Sequence, residues 1–358
     1  MNKKNLVFLY TRLADYFYQC LLYFAKRNKE LNVIVIRYDA DKNAPFQFHE
    51  TDNLKLFYKS NFSGVSDILD FLKPINPLCI YCTGWGDKEY LQVISKLKNT
   101  CPTILGLDNP WESTIRQKLG VLYFKLFIKS IFSHIWVAGI PQYLFAKRLG
   151  FKDNEILNEL YCANTESFLD AGIKTKRIKK TNFPRKLVFI GRYVTYKQPL
   201  ILVRLFKNLE DSGLTNGWCL ELIGSGPLKE ILYQYNSETI LINDFIKPND
   251  LPEKLASSGA FCLPSKGEHW GVVVHEAASA GLALLLSNTV YSGSSFLIDA
   301  YNGFKFDENN KNEMKESLLN LFSKSEDELL NMGYNSMKLA QRINHETWSA
   351  NLNSVLKK

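Results

Sequence analysis

Two cations stand just after an apolar run in the second half of the sequence. The run Lys186–Ile190 (KLVFI) predicts a buried strand, and Gly191 ends it before Arg192 and Lys197. An arginine can hold a phosphate in a planar fork, and a lysine adds a flexible point charge. Because a charge-assisted hydrogen bond contributes about 1.5–3 kcal/mol, the two together could anchor a diphosphate. The alternative is a solvated arginine and lysine in an ordinary loop.

A pair of glycines follows the next apolar run. Gly224 and Gly226 come directly after Cys219–Ile223 and precede Pro227, a residue that suits the start of a helix. Glycines at these positions would allow a ligand to approach the backbone closely. The dinucleotide fingerprint GxGxxG is not complete, because Lys229 occupies the place of its third glycine. An ordinary tight turn is therefore the alternative.

Two glutamates flank the start of a third predicted element. Glu268 lies in the loop after the apolar run Ala260–Leu263, and Glu276 lies inside a helix that should begin near Gly271 and end at Gly281. Unpaired N–H groups at the start of a helix can bind a phosphate. Glu276 has apolar neighbours, where a pair of ligand hydroxyls such as a ribose diol would satisfy its carboxylate. The alternative is that Glu276 binds a backbone amide and Glu268 caps the helix.

The elements that must position these residues alternate regularly along the chain. The predicted helices of the first half are Leu13–Arg27, Val65–Leu72 and Lys88–Lys98. The predicted strands are Asn5–Tyr10, Asn32–Ile36, Leu78–Cys82, Thr103–Leu107, Lys186–Ile190, Cys219–Ile223, Thr239–Ile242, Ala260–Leu263 and Ala283–Leu286. Strands that are apolar throughout are covered on both faces, which is typical of parallel sheets in βα units. Two such sets predict an α/β protein with two Rossmann-like domains.

Length, composition and charge agree with two globular domains. The 358 residues are 46% hydrophobic and 22% charged, which excludes global disorder and exceeds one typical domain. The net charge of +8 is concentrated, since 173–186 hold seven basic residues and no acidic one. Neither the pair Cys79/Cys82 nor the pair His269/His275 has the arrangement of a zinc site, so we expect reduced cysteines and no metal. No apolar run reaches the roughly 18 residues of a membrane span.

The second half contains a series of motifs whose types and order are specific to one family. They are Gly191-Arg192, Lys197, Gly224/Gly226-Pro227, Pro264-Ser265, Glu268, Trp270-Gly271 and Glu276. The stretch from Lys186 to Trp348 that carries them resembles the C-terminal domain of retaining glycosyltransferases of the GT-B fold, family 4 (glycosyl transferases group 1). The resemblance implies two Rossmann-like parallel-sheet domains that face each other across a cleft. Trp270, where the family usually has phenylalanine, is a mild departure.

The resemblance also implies roles for individual residues. Arg192 and Lys197 would hold the donor diphosphate, and Glu276 would bind the ribose of the nucleotide. Glu268, together with backbone amides at the start of the following helix, would contact the transferred sugar. The implied donor-binding set is Arg192, Lys197, Gly224, Gly226, Gly271, Val272 and Glu276.

The first half resembles the family only loosely. Many members have a glycine pair after the first strand, where this sequence has Tyr10–Asp15 (YTRLAD). Asp108 follows the run TILGL, where many relatives place a histidine near the reaction centre, and we predict a catalytic role for it beside Glu268. Its neighbour Asn109, and Trp85 and Asp87 after the run LCIYC, are candidate acceptor-side residues at strand ends. The alternative for Asp108 is a cap of the following turn.

The predicted organisation has four segments. They are an N-terminal acceptor-side domain over 1–165, a basic interdomain linker over 166–186, a C-terminal nucleotide-sugar-binding domain over 187–340, and a helix over 341–358 that packs back on the N-terminal domain. The predicted activity is transfer of a sugar from a UDP- or GDP-sugar to an acceptor hydroxyl with retention of configuration, in bacterial surface polysaccharide or glycolipid synthesis. Cations and a helix terminus would neutralise the diphosphate, so neither a cofactor nor a metal is expected. A non-catalytic GT-B binding subunit and a GT-B sugar-nucleotide epimerase are the alternatives.

One stretch of the first half is both apolar and basic. The segment 114–132 carries Arg116, Lys118, Lys125 and Lys129 among eleven apolar residues, with no acidic residue. A half-buried core helix is one interpretation. The other is a helix seated on an anionic membrane surface, which suits a saccharide or lipid-linked acceptor and a cytoplasmic protein peripheral to the inner face of the cell membrane. No nucleic-acid reader motif accompanies the charge, so nucleic acid is not an expected partner.

Overall fold

The chain divides into two units, and the computed structural model describes residues 3–39 and 48–356 of it. The first unit combines Met1–Cys162 with His345–Lys358. The second unit is Ala163–Asn344. Each unit is built around its own sheet.

Parallel strands form the centre of the first unit. They are β1 (Lys4–Tyr10), β2 (Leu31–Arg37), β3 (Leu54–Tyr58), β4 (Cys79–Thr83), β5 (Thr103–Leu107), β6 (His134–Val137) and β7 (Ile156–Leu157). Within the described residues they make one seven-stranded sheet in the order β3-β2-β1-β4-β5-β6-β7. Because β1 and β2 are buried almost throughout, helices must cover both faces.

Helices connect successive strands of this sheet. They are α1 (Asp15–Arg27), α2 (Val65–Ile75), α3 (Lys88–Leu97), α4 (Ile115–Tyr123) and α5 (Ile140–Arg148). The α4 helix continues as one π-helical turn, Phe124–Ile128, and a 3₁₀ turn, Lys129–Ile131.

The second unit repeats this architecture. Its strands are β8 (Lys186–Ile190), β9 (Cys219–Ile223), β10 (Ile240–Asn243), β11 (Ala260–Leu263), β12 (Ala283–Ser287) and β13 (Gly303–Phe306). The described part of the unit forms one parallel sheet in the order β10-β9-β8-β11-β12-β13. Its helices are α6 (Thr165–Thr181), α7 (Pro199–Asp211), α8 (Lys229–Tyr233), α9 (Leu251–Ala256), α10 (Val272–Ser279), α11 (Gly293–Phe296), α12 (Lys311–Phe322) and α13 (Glu326–Ala340).

The prediction of two Rossmann-like parallel-sheet domains is confirmed. Each of the nine predicted strands is present to within a residue or two of its predicted bounds. Four strands were not predicted: β3, β6, β7 and β13. Of these, β3 and β13 carry exposed lysines and β7 has only two residues, so these three show no long apolar run.

The segment 166–186, predicted as an interdomain linker, differs from that prediction. Most of it is the helix α6, which belongs to the second unit. Phe168 and Ala171 on this helix are buried, and Lys179 extends inward to donate a hydrogen bond to the carbonyl of Ser258 at 2.7 Å. Burial lowers the pKa of Lys179 to about 8. The remaining cations of the helix point to solvent, so its basic character comes from one exposed face of a packed element.

The last helix, α14 (His345–Leu356), is part of the first unit. Its Trp348 is fully buried and packs edge-on against Phe17 and Phe24 of α1. The Trp348 indole also lies 4.8 Å from the ring of Trp136 and donates a hydrogen bond to the carbonyl of Leu160 at 3.0 Å. The returning segment is therefore tied to the core of the first unit by one aromatic side chain.

None of the helices in the described residues is long and apolar enough to cross a bilayer.

Candidate functional site

The loops that follow β8 and β9 lie against each other. Tyr193 donates its backbone N–H to the carbonyl of Ser225 at 2.8 Å, and the carbonyl of Tyr193 accepts from the N–H of Leu228 at 3.0 Å. Gly191 donates to the carbonyl of Ile223 at 3.0 Å. These bonds continue the pairing of the two strands beyond their ends.

Two glycines allow this close approach. A Cβ atom on Gly224 would lie 1.9 Å from the carbonyl oxygen of Gly191, and one on Gly226 would lie 2.6 Å from that of Tyr193. Gly226 also has a φ of +151°, a value that favours glycine. The structure therefore accounts for both glycines through the contact between two loops, an explanation that neither the ligand interpretation nor the tight-turn alternative had included.

A partly buried ion pair connects the β8 loop to the loop after β11. The ammonium group of Lys197 contacts a carboxylate oxygen of Glu268, and both side chains are only about one-eighth exposed. The same oxygen of Glu268 accepts a hydrogen bond from the Ser265 hydroxyl at 3.3 Å. The same two loops are also joined by a backbone hydrogen bond of 2.6 Å from the N–H of Lys266 to the carbonyl of Tyr196. Two residues that are 71 positions apart in sequence thus meet at the carboxyl edge of the sheet.

The β11 loop is held in turn by the segment after β12. Ser287 and Thr289 both donate hydroxyl hydrogen bonds to the carbonyl of Ser265, at 2.5 and 3.0 Å. The Thr289 hydroxyl accepts from the N–H of Gly267 at 3.1 Å, and its carbonyl accepts from the N–H of Glu268 at 3.0 Å. Sequence reasoning missed these two hydroxyl residues, since they lie more than twenty positions from the loop and no local motif marks them.

The α10 helix begins at the end of this loop. Gly271 precedes it with a φ of +86°, and a Cβ atom there would lie 3.0 Å from Cγ of Glu268. The first N–H groups of a helix have no intrahelical acceptor, so the amides of Val272 and Val273 are placed to bind an anion. Both valines are only half-buried.

His275 fixes the helix that carries Glu276. The buried His275 ring accepts a hydrogen bond at Nδ1 from the N–H of Ala163, at 3.2 Å, and Nε2 lies 3.0 Å from the carbonyl of Ala340. These partners define a neutral ring with its proton on Nε2. The ring also stacks on Phe296 with a centroid distance of 4.3 Å. His275 therefore positions α10, and Glu276 lies half-buried beside it.

The candidate donor residues all follow adjacent strands. In the sheet order, β9, β8 and β11 are neighbours, and their carboxyl ends meet at one edge. The residues that follow those ends are Arg192, Lys197, Gly224, Gly226, Glu268, Gly271, Val272 and Glu276. Arg192 is exposed and makes no ion pair with any residue in the described ranges. This edge combines two cations, a helix terminus and two carboxylates.

In the first unit, both carboxylate oxygens of Asp87 accept hydrogen bonds from neighbouring residues. One oxygen of its carboxylate caps α3 by accepting from the N–H groups of Glu89 and Tyr90 at 2.9 and 3.0 Å. The other oxygen accepts from Tyr38 at 2.7 Å and from Lys59 at 2.5 Å. Burial alone would raise the pKa of Asp87, but the hydrogen bonds from Lys59, Tyr90 and Tyr38 lower it overall. Both oxygens are thus engaged by the protein itself.

The other predicted residues of the first unit have different surroundings. Asp108 accepts a hydrogen bond from the Tyr161 hydroxyl at 3.2 Å, and Asn109 beside it is exposed. Burial, and then the charge of Asp108, raise the pKa of Tyr161, so this hydroxyl keeps its proton. Trp85 is partly buried and packs against the core of the unit, with a centroid distance of 5.0 Å to Phe124.

An open cavity that the sequence did not predict lies at the carboxyl ends of β1, β2 and β3. Its volume is about 600 Å³. The described residues that line it are Arg12, Tyr38, Asp39, Lys59, Ser60, Phe62 and Glu89. Aromatic faces beside charged and hydroxyl groups suit a polar ligand with apolar faces, such as a saccharide.

The fold agrees with comparisons to known structures. Anabaena HepE, solved with UDP and glucose, superposes over 99% of both chains with a TM-score of 0.71 at 13% identity. Sucrose-phosphate synthase from Thermosynechococcus elongatus covers 99% of this chain and 98% of its own, with a TM-score of 0.76 at 13% identity. Similarity at this level of identity defines the fold class, which is GT-B.

Sequence comparisons concentrate on the second unit. The family model described as glycosyl transferases group 1 matches residues 173–339. An uncharacterised glycosyltransferase of Haemophilus influenzae is 28% identical over 172 residues, 47% of this chain and 46% of its own length. An Escherichia coli UDP-Gal:α-D-GlcNAc-diphosphoundecaprenol α-1,3-galactosyltransferase is 26% identical over 179 residues, 46% of this chain and 45% of its own length. Each match thus spans about half the length of the curated relative.

The match to the glycosyl transferases group 1 model over residues 173–339 thus covers the part of the chain that carries the motifs. The resemblance inferred from the motifs is confirmed at this level, and membership of family 4 stays a prediction.

The close contact between the β8 and β9 loops predicts that a side chain at Gly224 destabilises the protein. We expect Gly224→Ala to lower the free energy of unfolding by about 1–3 kcal/mol, because the added Cβ must push the loops apart. Urea unfolding followed by tryptophan fluorescence measures the change. The control is Gly86→Ala, where a Cβ would meet nothing within 4 Å. Equal stability of the Gly224 variant and the natural protein would contradict the packing role.

Proposed function

We propose that this protein is a retaining glycosyltransferase that moves a sugar from a nucleotide-diphosphate sugar to an acceptor hydroxyl. The observation that carries the proposal is the carboxyl edge of the second sheet. There, Arg192, the Lys197–Glu268 pair and the start of α10 follow adjacent strands. Ligands of parallel α/β sheets bind at this edge.

In the proposed donor site, different residues bind the diphosphate, the ribose and the transferred sugar. The diphosphate lies against Arg192 and Lys197, and the amides of Gly271 and Val272 at the start of α10 add dipolar stabilisation. Glu276, which is half-buried next to His275 on α10, accepts hydrogen bonds from the ribose hydroxyls. Glu268 contacts the transferred sugar, and Gly224 and Gly226 maintain the loop contact that shapes the site.

Negative charge develops on the diphosphate as the glycosidic bond to it breaks. Groups that are aimed at this charge before the reaction lower the barrier most. Arg192 and Lys197 supply two positive charges and the helix start a partial one, which is why the proposal includes neither a divalent metal nor a cofactor. Lys197 is held in position by Glu268, so a bound diphosphate would share this lysine with the carboxylate.

The proposed substrates draw support from the named relatives. HepE has been solved in complex with UDP-glucose, and the E. coli relative is named for a UDP-Gal donor and a lipid-diphosphate acceptor. We infer a UDP- or GDP-sugar donor and a saccharide or lipid-linked acceptor, in the synthesis of a bacterial surface polysaccharide or glycolipid. The acceptor would bind to the first unit, where Asp108 and Asn109 follow β5 and the 600 Å³ cavity offers aromatic and hydroxyl groups.

Two other functions share the same donor site. A non-catalytic GT-B subunit would bind the nucleotide sugar without consuming it, and an epimerase would return an isomerised nucleotide sugar. Neither alternative would release a free nucleoside diphosphate in step with glycosylation of an acceptor. The set at this sheet edge includes Glu268, which we predict to be catalytic, and this favours the transferase over the non-catalytic subunit.

Substitutions at the edge test the donor site. We expect Arg192→Ala and Glu276→Ala each to weaken UDP or GDP binding about ten- to a hundredfold, since each removes a charge-assisted hydrogen bond. Isothermal titration calorimetry measures the affinities. Arg204→Ala and Glu230→Ala are matched controls, because both residues are exposed on other helices of the same unit. Unchanged affinity in both test variants would rule out the proposed site.

The acceptor side of the proposal includes an anionic membrane surface. Six large apolar side chains along α4 and its π-helical continuation are each more than half exposed: Ile115, Leu119, Leu122, Tyr123, Leu126 and Phe127. Exposed cations interrupt this amphipathic surface at Arg116, Lys118 and Lys125, whereas Lys129 pairs with Glu155 at 3.4 Å. So large an apolar patch with only positive charges matches a bilayer that carries anionic headgroups.

Vesicle binding tests the amphipathic surface. We expect Leu119→Glu/Leu126→Glu to weaken sedimentation with phosphatidylglycerol vesicles at least about tenfold, because the variant loses apolar area and adds negative charge. Leu214→Glu, at an exposed apolar position of the second unit, is the control. Binding of the natural protein should fall as salt is raised and on vesicles of neutral lipid alone. Binding that is indifferent to lipid charge and to the double substitution would contradict the proposal.

A further inference from the structure

Three side chains that commonly bind metals meet inside the first unit. Cys20 lies in the middle of α1, Cys162 is the last residue before the chain enters the second unit, and His345 is the first residue of α14. One ligand atom from each of them lies within 4.8 Å of the other two. Sequence analysis did not connect them, because they come from three distant parts of the chain.

The cluster is buried, and one ring nitrogen of its histidine has no hydrogen-bond partner among the described residues. Cys20 and Cys162 are fully buried, and His345 is 7% exposed. Nε2 of His345 makes no hydrogen bond to any of the residues that the structure describes. The Cys20 thiol lies 3.7 Å from the carbonyl oxygen of Cys162, and neither cysteine forms a disulfide. A buried imidazole nitrogen without a partner is costly unless a ligand satisfies it.

The types of these ligands select the kind of metal. Two thiolates and an imidazole suit soft or borderline cations such as Zn²⁺ and Cu⁺. Two thiolates neutralise Zn²⁺, whereas they would leave a net negative charge around Cu⁺. A neutral complex is the one that a buried, apolar site can hold.

We propose that Cys20, Cys162 and His345 bind one zinc ion. Binding converts two thiols to thiolates and releases two protons to solvent, while the imidazole adds its Nε2 lone pair. Zinc bonds of about 2.3 Å to sulfur and 2.0 Å to nitrogen require the three atoms to move closer by roughly 1 Å, which side-chain rotation can supply. A small ligand such as water takes the fourth position.

The position of the site indicates a structural role for the ion. Cys162 and His345 mark the two points where the chain leaves and re-enters the first unit, and Cys20 lies on the helix against which α14 packs. A zinc ion would therefore tie the returning helix to α1 beside Trp348. This is a structural role that does not depend on the proposed donor chemistry.

Metal analysis of the full-length chain tests the proposal. We expect the protein, purified without metal-affinity resin, to contain about one zinc per chain by mass spectrometry, and Cys20→Ser or Cys162→Ser to reduce this to about a tenth or less. Replacement of zinc by Co²⁺ should give thiolate-to-cobalt charge-transfer absorption. Cys79→Ser is the matched control, since Cys79 is an equally buried cysteine of the same unit outside the cluster.

A variant that fails to fold would lose zinc whether or not the substituted residue binds the ion. His345→Gln, which removes the nitrogen ligand and leaves both cysteines, provides a second test, and circular dichroism establishes that each variant is folded. Charge-transfer absorption in the natural protein that is weakened in folded His345→Gln supports the site. Failure of the natural protein to bind Zn²⁺ or Co²⁺, or equal metal content in the Cys20, Cys162 and Cys79 variants, would overturn it.

Discussion

The ion pair between Lys197 and Glu268 is the interaction on which the organisation of the second unit's strand edge depends. It joins loops that follow two neighbouring strands, and it is sheltered enough that removing one partner would leave an uncompensated charge. Glu268 is itself placed by the backbone of Thr289, and Lys197 by the turn after β8. The ion pair and the hydrogen bond to Thr289 together connect the ends of three strands. The proposed donor site is built on these contacts.

Around this pair, steric constraints decide which residues can occupy the loops. The β8 and β9 loops touch only because Gly224 and Gly226 have no side chains, and α10 begins after Gly271 in the left-handed region. His275 then holds the helix through both of its ring nitrogens, so that Glu276 beside it has a defined place. The motif residues therefore divide into those that shape the loops and those that we propose contact the donor.

The strands that are apolar on both faces, such as KLVFI and TILGL, could be predicted from the sequence, and so could the motifs that follow them. Sequence reasoning missed β3, whose sequence LKLFY is half exposed at the edge of the sheet. It also assigned Asp87 to a ligand, although the carboxylate caps α3 and pairs with Lys59. Ser287, Thr289 and the cluster around Cys20 depend on contacts between distant segments, and no local pattern could have indicated them.

A comparison of two nucleotides shows whether the cations at this edge hold a diphosphate, as we propose. The measurement is the ratio of affinities for UDP and UMP, or for GDP and GMP, in the natural protein and in Lys197→Gln. We expect the natural protein to prefer the diphosphate about tenfold or more and the variant to lose most of this preference, because Lys197 lies against the diphosphate in the proposed site. Equal weakening of the binding of both nucleotides, or an unchanged preference for the diphosphate, would show that Lys197 does not bind the diphosphate.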